Sequence, residues 1–211
     1  MEQRFLHELL LRDVKELRGK CLTIAGCGAL GSWAALLLAK AGADTFRLID
    51  RDRVEEHNLS TQFFPPWSLG STKVQALSEI LYQFYKCRVE RHPIELTRSN
   101  ALQLLRGSDL VICSFDNKEG RETVKDICLR HGIPCVFGAM HGEHFYAHIE
   151  WAEDFDVPED PAHYEIDPCD YPLAVSLSVF TSSLLAEAAI RFLLDGDRRK
   201  ARTGMLEVLG R

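Results

Sequence analysis

The sequence predicts an α/β fold in which a mostly parallel sheet is covered by helices on both faces. Three observations predict it: short apolar runs typical of buried strands, helix-forming stretches between them, and a glycine-rich turn after the first run. Strands that alternate with helices in this way are joined by right-handed crossovers. We expect one domain over residues 1–211, because this length suits one sizeable core and is short for two.

The first element is a strand followed by a glycine turn. The apolar run over residues 21–25 is too short for a helix and suits a buried parallel strand. Gly26, Gly28 and Gly31 then form G-x-G-x-x-G, and the following SWAALLLAKAGA is a strong helix former. Glycines let the backbone approach a phosphate, and the helix N-terminus adds free N–H donors and partial positive charge.

The second strand ends on acidic residues, as a Rossmann-like unit requires. The apolar run over residues 45–49 leads directly to Asp50 and Asp52, about 20 residues beyond the glycines. An acid at this position binds ribose hydroxyls. The pattern therefore predicts a nucleotide site and leaves NAD and ATP both open.

The other elements follow from apolar spacing and from turn residues. Residues 1–18 are expected to form an N-terminal helix with one apolar face that Gly19 ends, and Pro65, Pro66 and Gly70 indicate a long loop over residues 53–70. Next we expect a helix over 74–86 capped by Ser71, a strand over 88–96, a helix over 97–105, a strand over 109–115, a helix ending at 131 and a strand over 133–139.

Beyond Gly142 the pattern changes, so the C-terminal edge of the sheet is expected to be mixed or antiparallel. Residues 144–151 alternate in the manner of an antiparallel or edge strand. The acidic, proline-rich stretch 153–172 is expected to be a crossover-type loop. The apolar-rich run over 173–194 carries enough polar residues to indicate a core helix, and residues 204–210 are expected to add a last strand.

Composition excludes several classes of function. The formal net charge of −6, without a basic patch, argues against a nucleic-acid partner. The sequence has no run of 18 apolar residues and no secretory signal pattern, so we expect no membrane association. The seven cysteines are odd in number and lie mostly in apolar runs, which is typical of a reducing, cytoplasmic setting.

Six pieces of the chain follow one another in a recognisable order. They are GCGALG from Gly26, LIDRDRV from Leu48, HNLSTQ from His57, GSTK from Gly70, DLVICSFDN from Asp109 and IPCVFGA from Ile133. A dehydrogenase would explain the first two pieces but not the N-L-x-x-Q, G-x-x-K and D-N elements. Together the six pieces resemble the ThiF/MoeB/HesA family, the bacterial relatives of ubiquitin-activating enzymes.

The resemblance implies ATP-dependent adenylation of a carboxylate with Mg²⁺, usually at the C-terminal Gly-Gly of a small ubiquitin-like sulfur carrier. It also implies a homodimer. Its residue roles are as follows: Asp52, beside Asp50, for the ribose; Gly26, Gly28 and Gly31 for the phosphate turn; Asn58 and Gln62 for the phosphate loop; Lys73 on the phosphates; Asp116 for Mg²⁺; Asn117 and Arg121 supporting that corner.

Several of these residues also have a structural interpretation. Asp50 and Asp52 could simply end a strand, Asn117 could cap a helix, and Arg121 could be a solvated helix charge. Lys73 in a first helical turn opposes the helix dipole, which favours a ligand there.

Three departures from the family pattern limit the prediction. The N-terminal segment is short, and Arg4 and Arg12 are the candidates for the arginine with which relatives reach a partner subunit's ATP. Relatives usually carry an arginine where this chain has Thr61, and losing one such phosphate donor costs about 3 kcal/mol, or a hundredfold or more in rate. Arg51, Arg53 and Arg121 are the candidates to replace it. The paired C-x-x-C motifs of many relatives are absent, so no structural zinc is expected.

Cys169 in the late loop is a candidate catalytic thiol, at about the place where thioester- or disulfide-forming relatives carry one. Its neighbouring aspartates would raise the thiol pKa, which favours an incidental cysteine instead. His141, His144 and His148 lack a clear carboxylate or cysteine partner and are not expected to bind a metal.

Three alternatives remain beside the sulfur carrier. The substrate could be a small-molecule or peptide carboxylate. The chain could instead be a non-catalytic ATP-binding homologue that acts as an assembly subunit, which Thr61 motivates. A nicotinamide dehydrogenase is the most distant.

Overall fold

The computed structural model describes residues 2–142, 145–159 and 172–208. The strands in this part of the chain are Cys21–Ala25 (β1), Thr45–Ile49 (β2), Arg88–His92 (β3), Leu110–Cys113 (β4), Cys135–His141 (β5), Tyr146–Trp151 (β6) and Ala201–Gly204 (β7). The α-helices are Leu6–Leu11 (α1), Gly31–Ala41 (α2), Lys73–Tyr85 (α3), Ala101–Leu105 (α4), Lys118–His131 (α5), Val175–Asp195 (α6) and Met205–Val208 (α7). Short 3-10 helices cover Glu2–Phe5, Val14–Leu17, Glu56–Ser60 and Pro66–Ser68.

The strands form one sheet in the order β3-β2-β1-β4-β5-β6-β7. The first five strands in this order run parallel, β6 is antiparallel to β5, and β7 is antiparallel to β6. This arrangement confirms the predicted mostly parallel sheet with an antiparallel C-terminal edge. The strand order reverses between β1 and β4, and open α/β sheets bind ligands at the carboxyl ends of the strands beside such a reversal.

Helices cover both faces of this sheet, as the sequence predicts. One cluster of buried side chains joins β1 and β2 to α2, α3 and α6, with Leu38, Leu77 and Leu185 as members. A second cluster joins the opposite face to α4 and α5, with Leu105 and Val124 as members. Each face therefore has its own apolar core, and the sheet edge that carries the strand C-termini is left for the loops.

Among the described residues, one helix is long and apolar enough to cross a membrane by length and composition. This helix is α6, whose most apolar window has a mean hydropathy of 1.5, yet more than half of that window is buried inside the protein. Leu185 of α6 is fully buried and packs so tightly on Gly138 of β5 that a Cβ at Gly138 would lie 2.8 Å from a Leu185 methyl. We interpret α6 as the core helix that the sequence predicts.

Both chain ends differ from the sequence prediction. The expected continuous N-terminal helix is interrupted, because Arg12 is extended and the Asp13 carboxylate accepts a hydrogen bond from Lys15 N to start a new 3-10 turn. The expected strand over 204–210 is wrong. β7 ends at Gly204, whose N–H donates to the Glu207 carboxylate, and the chain then turns into α7.

Three internal boundaries also differ. The cap of α3 is Thr72 and not Ser71, since the Thr72 hydroxyl accepts from Gln75 N at 3.3 Å. β3 ends at His92, before Pro93, which has no N–H for a sheet ladder. α4 begins only at Ala101, after a local turn. Of the predicted crossover-type loop, residues 160–171 lie outside the described part of the chain.

If α6 is a core helix, truncating Leu185 will destabilise the whole domain. We expect Leu185→Ala to lower the free energy of unfolding by about 2–5 kcal/mol, because it deletes a fully buried leucine and leaves a cavity. Urea unfolding followed by circular dichroism measures this change. Ser176→Ala, at an exposed position of the same helix, is the control and should change stability little. Equal effects of the two variants would contradict the core assignment.

Candidate functional site

The carboxyl ends of β1, β2 and β4 lie side by side, and the residues that follow them form one site. β1 pairs with β2 through Ala25 and Ile49, and with β4 through Ala25 and Cys113. The glycine turn follows β1, Asp50 follows β2, and Ser114 follows β4. The topology thus brings together three pieces that are far apart in sequence.

The three glycines of the turn differ in how much space surrounds them. Gly26 has a φ of +96°, and a Cβ there would lie 3.0 Å from the backbone of Ser114. A Cβ at Gly31 would lie 1.8 Å from the Gly26 carbonyl oxygen, so no side chain fits. At Gly28 the nearest atom is the amide nitrogen of Gln62, 3.9 Å away. Gly26 and Gly31 therefore shape the turn, and Gly28 leaves room that a ligand could occupy.

Ser114 is a site residue that sequence reasoning missed. Its hydroxyl donates to the Gly26 carbonyl at 2.7 Å, which joins the residue after β4 to the glycine turn. The available signal was its place immediately before the Phe-Asp-Asn segment at the end of a strand. A serine in a loop is too common for that signal to single it out.

Asp50 links the glycine turn to the next acid. One carboxylate oxygen accepts from Cys27 N at 2.7 Å and the other accepts from Asp52 N at 2.8 Å. Asp50 is only 7% exposed. Burial raises its pKa, while the charge of Lys73 and the two N–H donors act in the opposite direction. Asp50 therefore fixes the geometry of the turn, and Asp52 presents the more accessible carboxylate of the pair.

Lys73 is a buried cation at the start of α3. Its ammonium donates to the Asp52 carboxylate at 2.9 Å, and its backbone N–H donates to the Asp52 carbonyl at 2.9 Å. Burial lowers the pKa of Lys73, but the charges of Asp50, Asp52 and Asp116 more than offset this and leave the pKa raised. The ammonium is therefore charged at neutral pH. Asp52 takes one of its three donors, and an ammonium can share the others with an anion.

The loop over residues 55–64 closes over the glycine turn. Buried Asn58 shapes it: its side-chain oxygen accepts from Glu55 N at 3.0 Å, and its carbonyl accepts from Gln62 N at 2.9 Å. The Gln62 side chain reaches toward Gly28, and its Oε1 is buried without a hydrogen-bond partner among the described residues. Of the two predicted loop residues, Gln62 faces the site and Asn58 holds the loop.

The start of α5 forms the third side of the site. The side chain of Asn117 accepts from Gly120 N at 2.8 Å and caps the helix, and Arg121 Nε donates to the Phe115 carbonyl at 2.7 Å. These bonds hold the chain on either side of Asp116. Asp116 itself is exposed, and its charge acts on Lys73 across the site.

The three arginines that could stand in for the missing one at Thr61 all have other partners. Arg51 bonds Glu95 at 2.5 Å, Arg53 donates to the Gly70 carbonyl at 2.6 Å, and Arg121 is held as above. In the described part of the chain, Lys73 is thus the cation that the structure buries beside the glycine turn.

The other candidate residues of the sequence analysis are one cysteine and three histidines. Cys169 and His144 lie outside the described residues. Burial and the charge of Arg202 lower the pKa of half-buried His148. Within the described ranges, no group of three or more His, Cys, Asp or Glu side chains is arranged to hold a metal ion by itself. Burial also raises the pKa of the Cys113 thiol to about 12, so that this cysteine is inert.

Curated proteins similar to this chain are adenylyltransferases. A sulfur carrier protein adenylyltransferase of Thermus thermophilus is 31% identical over 151 residues, covering 65% of this chain and 54% of that protein. A probable adenylyltransferase/sulfurtransferase MoeZ of Mycobacterium tuberculosis is 29% identical over 157 residues, covering 71% of this chain and 40% of that protein. The chain thus spans about half or less of the length of these relatives.

Solved structures share the fold. The E. coli tRNA N6-threonylcarbamoyladenosine dehydratase TcdA in complex with AMP superposes with a TM-score of 0.76 at 21% identity, covering 93% of this chain and 96% of that one. E. coli MccB with MccA-N7isoASN gives 0.75 at 18% identity, covering 97% of this chain and 71% of that one. The ThiF family profile matches residues 2–209, nearly the whole chain. The chain therefore belongs to the ThiF family.

Proposed function

We propose that this protein adenylates a carboxylate with ATP, and that its substrate is the C-terminal Gly-Gly of a small sulfur-carrier or ubiquitin-like protein. One observation carries the proposal. A buried cation, Lys73, lies at the start of α3, and the exposed carboxylate of Asp116 is close enough for its charge to raise the pKa of Lys73. A hydride-transfer site needs neither group, whereas phosphate chemistry uses both. The adenylyltransferase relatives support the same reaction.

Each residue has a role in this reaction. When bound, ATP supplies the adenylyl group, and the substrate carboxylate oxygen bonds to the α-phosphorus as the bond to pyrophosphate breaks. Asp52 accepts from the ribose hydroxyls, while Asp50 holds the turn. The glycine-turn N–H groups and the N-terminus of α2 bind phosphate oxygens. Lys73 offsets the charge that develops at the α-phosphate.

Gln62 and the α5 corner complete the proposed site. Gln62 adds a polar group opposite Gly28, where its buried Oε1 is otherwise unpaired. Asn117 and Arg121 hold the chain on either side of Asp116. We assign no chemical step to Cys169.

The donor set at Asp116 fits Mg²⁺. Mg²⁺ bound with a nucleotide needs only one or two protein carboxylates, because phosphate oxygens and waters complete its octahedral shell. Asp116 is exposed and supplies the hard oxygen that this ion prefers. Bound there, Mg²⁺ would neutralise phosphate charge and help pyrophosphate to leave.

A second function is favoured by Thr61. Without the arginine that relatives carry there, and with Arg51, Arg53 and Arg121 bonded elsewhere, the chain could bind ATP and act as a non-catalytic assembly subunit. A small-molecule or peptide carboxylate is the alternative substrate if the protein is active. Nucleotide binding without turnover distinguishes the subunit from either enzyme.

We also propose a cytoplasmic homodimer. An open groove of about 790 Å³ beside α3 is lined by the exposed apolar side chains of Trp67, Phe84 and Val175. Leu6, Leu10 and Leu11 of α1 are also exposed. Arg4 donates to the Phe84 carbonyl, which shows that α1 begins beside this groove. A stable interface on this surface would have to bury on the order of 800 Å² per partner.

The first test is ATP–pyrophosphate exchange with a Gly-Gly carrier. We expect exchange that depends on the carrier and falls by at least a hundredfold in Asp116→Asn, because that variant loses the carboxylate proposed for Mg²⁺. Glu119→Gln, three residues further on and exposed, is the control and should keep its exchange rate. ATP binding by calorimetry with no exchange on any carboxylate would favour the non-catalytic subunit instead.

A second test separates the glycines. Gly28→Ala should leave the melting temperature nearly unchanged, since its Cβ meets nothing closer than 3.9 Å, yet weaken ATP binding by tenfold or more because the methyl enters the phosphate position. Gly31→Ala should destabilise the fold, because its Cβ would overlap the Gly26 carbonyl. Thermal melts and calorimetric titration with ATP give both quantities. Full ATP affinity in Gly28→Ala would place the phosphates elsewhere.

The proposed dimer is tested by light scattering coupled to size exclusion. We expect the mass of a dimer for the unaltered chain and of a monomer for the double variant Leu10→Glu, Phe84→Glu, since charges in an apolar interface must be desolvated. Leu129→Glu, an exposed leucine on the opposite helical layer, is the control and should stay dimeric. A monomeric unaltered chain at micromolar concentration would exclude a stable dimer.

A further inference from the structure

The first turn of α2 holds the loop over residues 55–64 through two neighbouring hydrogen bonds. The Ser32 hydroxyl accepts from Phe63 N at 2.9 Å. The Trp33 indole N–H donates to the Thr61 carbonyl at 3.0 Å. The Trp33 ring also meets the Phe63 ring edge-on, with centroids 4.8 Å apart. Backbone groups on both sides of Gln62 are therefore held by α2.

These two hydrogen bonds restrict the position of the Gln62 side chain. Gln62 lies between Thr61 and Phe63, and its side chain reaches toward Gly28 with a buried Oε1 that has no hydrogen-bond partner among the described residues. Ser32 is fully buried, so its bond to the loop is shielded from water. Because α2 begins at Gly31, where the glycine turn ends, the helix that follows the turn also positions the Gln62 side chain that faces it.

We propose that Ser32 and Trp33 are positioning residues for nucleotide binding, which they serve by fixing Gln62 opposite Gly28. This inference rests on the proposed nucleotide function. Neither side chain needs to touch the ligand. Both act through backbone groups of the loop, so the identity of residue 61 is free to vary while its carbonyl is held.

The binding test is a double-mutant cycle between Trp33→Phe and Gln62→Ala, read as ATP affinity by calorimetry. Trp33→Phe keeps an aromatic ring against Phe63, although a smaller one, and deletes the N–H donor. We expect it to raise the Kd for ATP about fivefold, the worth of one hydrogen bond. In the Gln62→Ala background the same change should raise the Kd less than twofold, because the group it positions is gone. Independent, additive effects would overturn the proposal.

The second arm needs no ligand. Amide hydrogen exchange of residues 61–64 should be faster in Trp33→Phe and in Ser32→Ala than in the unaltered protein, because each variant removes one of the two hydrogen bonds that hold the loop. Tyr146→Phe, which removes a hydroxyl from an exposed ring on β6, is the control and should not change these rates. Unchanged exchange in both variants would overturn the proposal. If the unaltered protein binds no ATP, the proposed function fails, whereas exchange still decides whether α2 fixes the loop.

Discussion

The Asp50 carboxylate is the link on which the rest of the site depends. Its two oxygens accept from backbone groups on different loops, one in the glycine turn and one at Asp52. A buried carboxylate is costly unless its oxygens are paired and a countercharge lies close. The two N–H donors and the charge of Lys73 meet that requirement. The ends of β1, β2 and α3 are thereby fixed relative to one another.

Acidic side chains outnumber the buried ammonium that they surround in this site. Asp50, Asp52 and Asp116 all act on the single ammonium of Lys73. If ATP binds here as proposed, these three carboxylates would repel its phosphates, and backbone N–H donors and a divalent cation would offset that repulsion.

The sequence predicted the parts of this molecule that depend on local pattern. The glycine spacing, the acids after β2 and the period of the apolar residues are local, and the structure confirms the mixed sheet. The parts it missed depend on contacts across the fold. Ser114 matters only because β4 lies beside β1, and Asp50 differs from Asp52 only because the glycine turn lies over it. The error of one residue at the α3 cap arose because Ser71 and Thr72 are equally good capping types, and backbone geometry decides between them.

The residue at position 61 bears on which of the two proposed functions the protein has. The Thr61 carbonyl accepts a hydrogen bond from the Trp33 indole, and this bond does not depend on the side chain at position 61. The positive charge that an arginine would bring is missing, and the arginines nearest in sequence bond to Glu95 and to the Gly70 carbonyl. In the proposed function, binding of ATP would draw on the turn, the helix N-terminus and Lys73, none of which depends on the residue at position 61. Catalysis would draw in addition on charge stabilisation at the α-phosphate, where each missing donor costs about 3 kcal/mol. Under that proposal, threonine in place of arginine would lower the rate of adenylation more than the affinity for ATP.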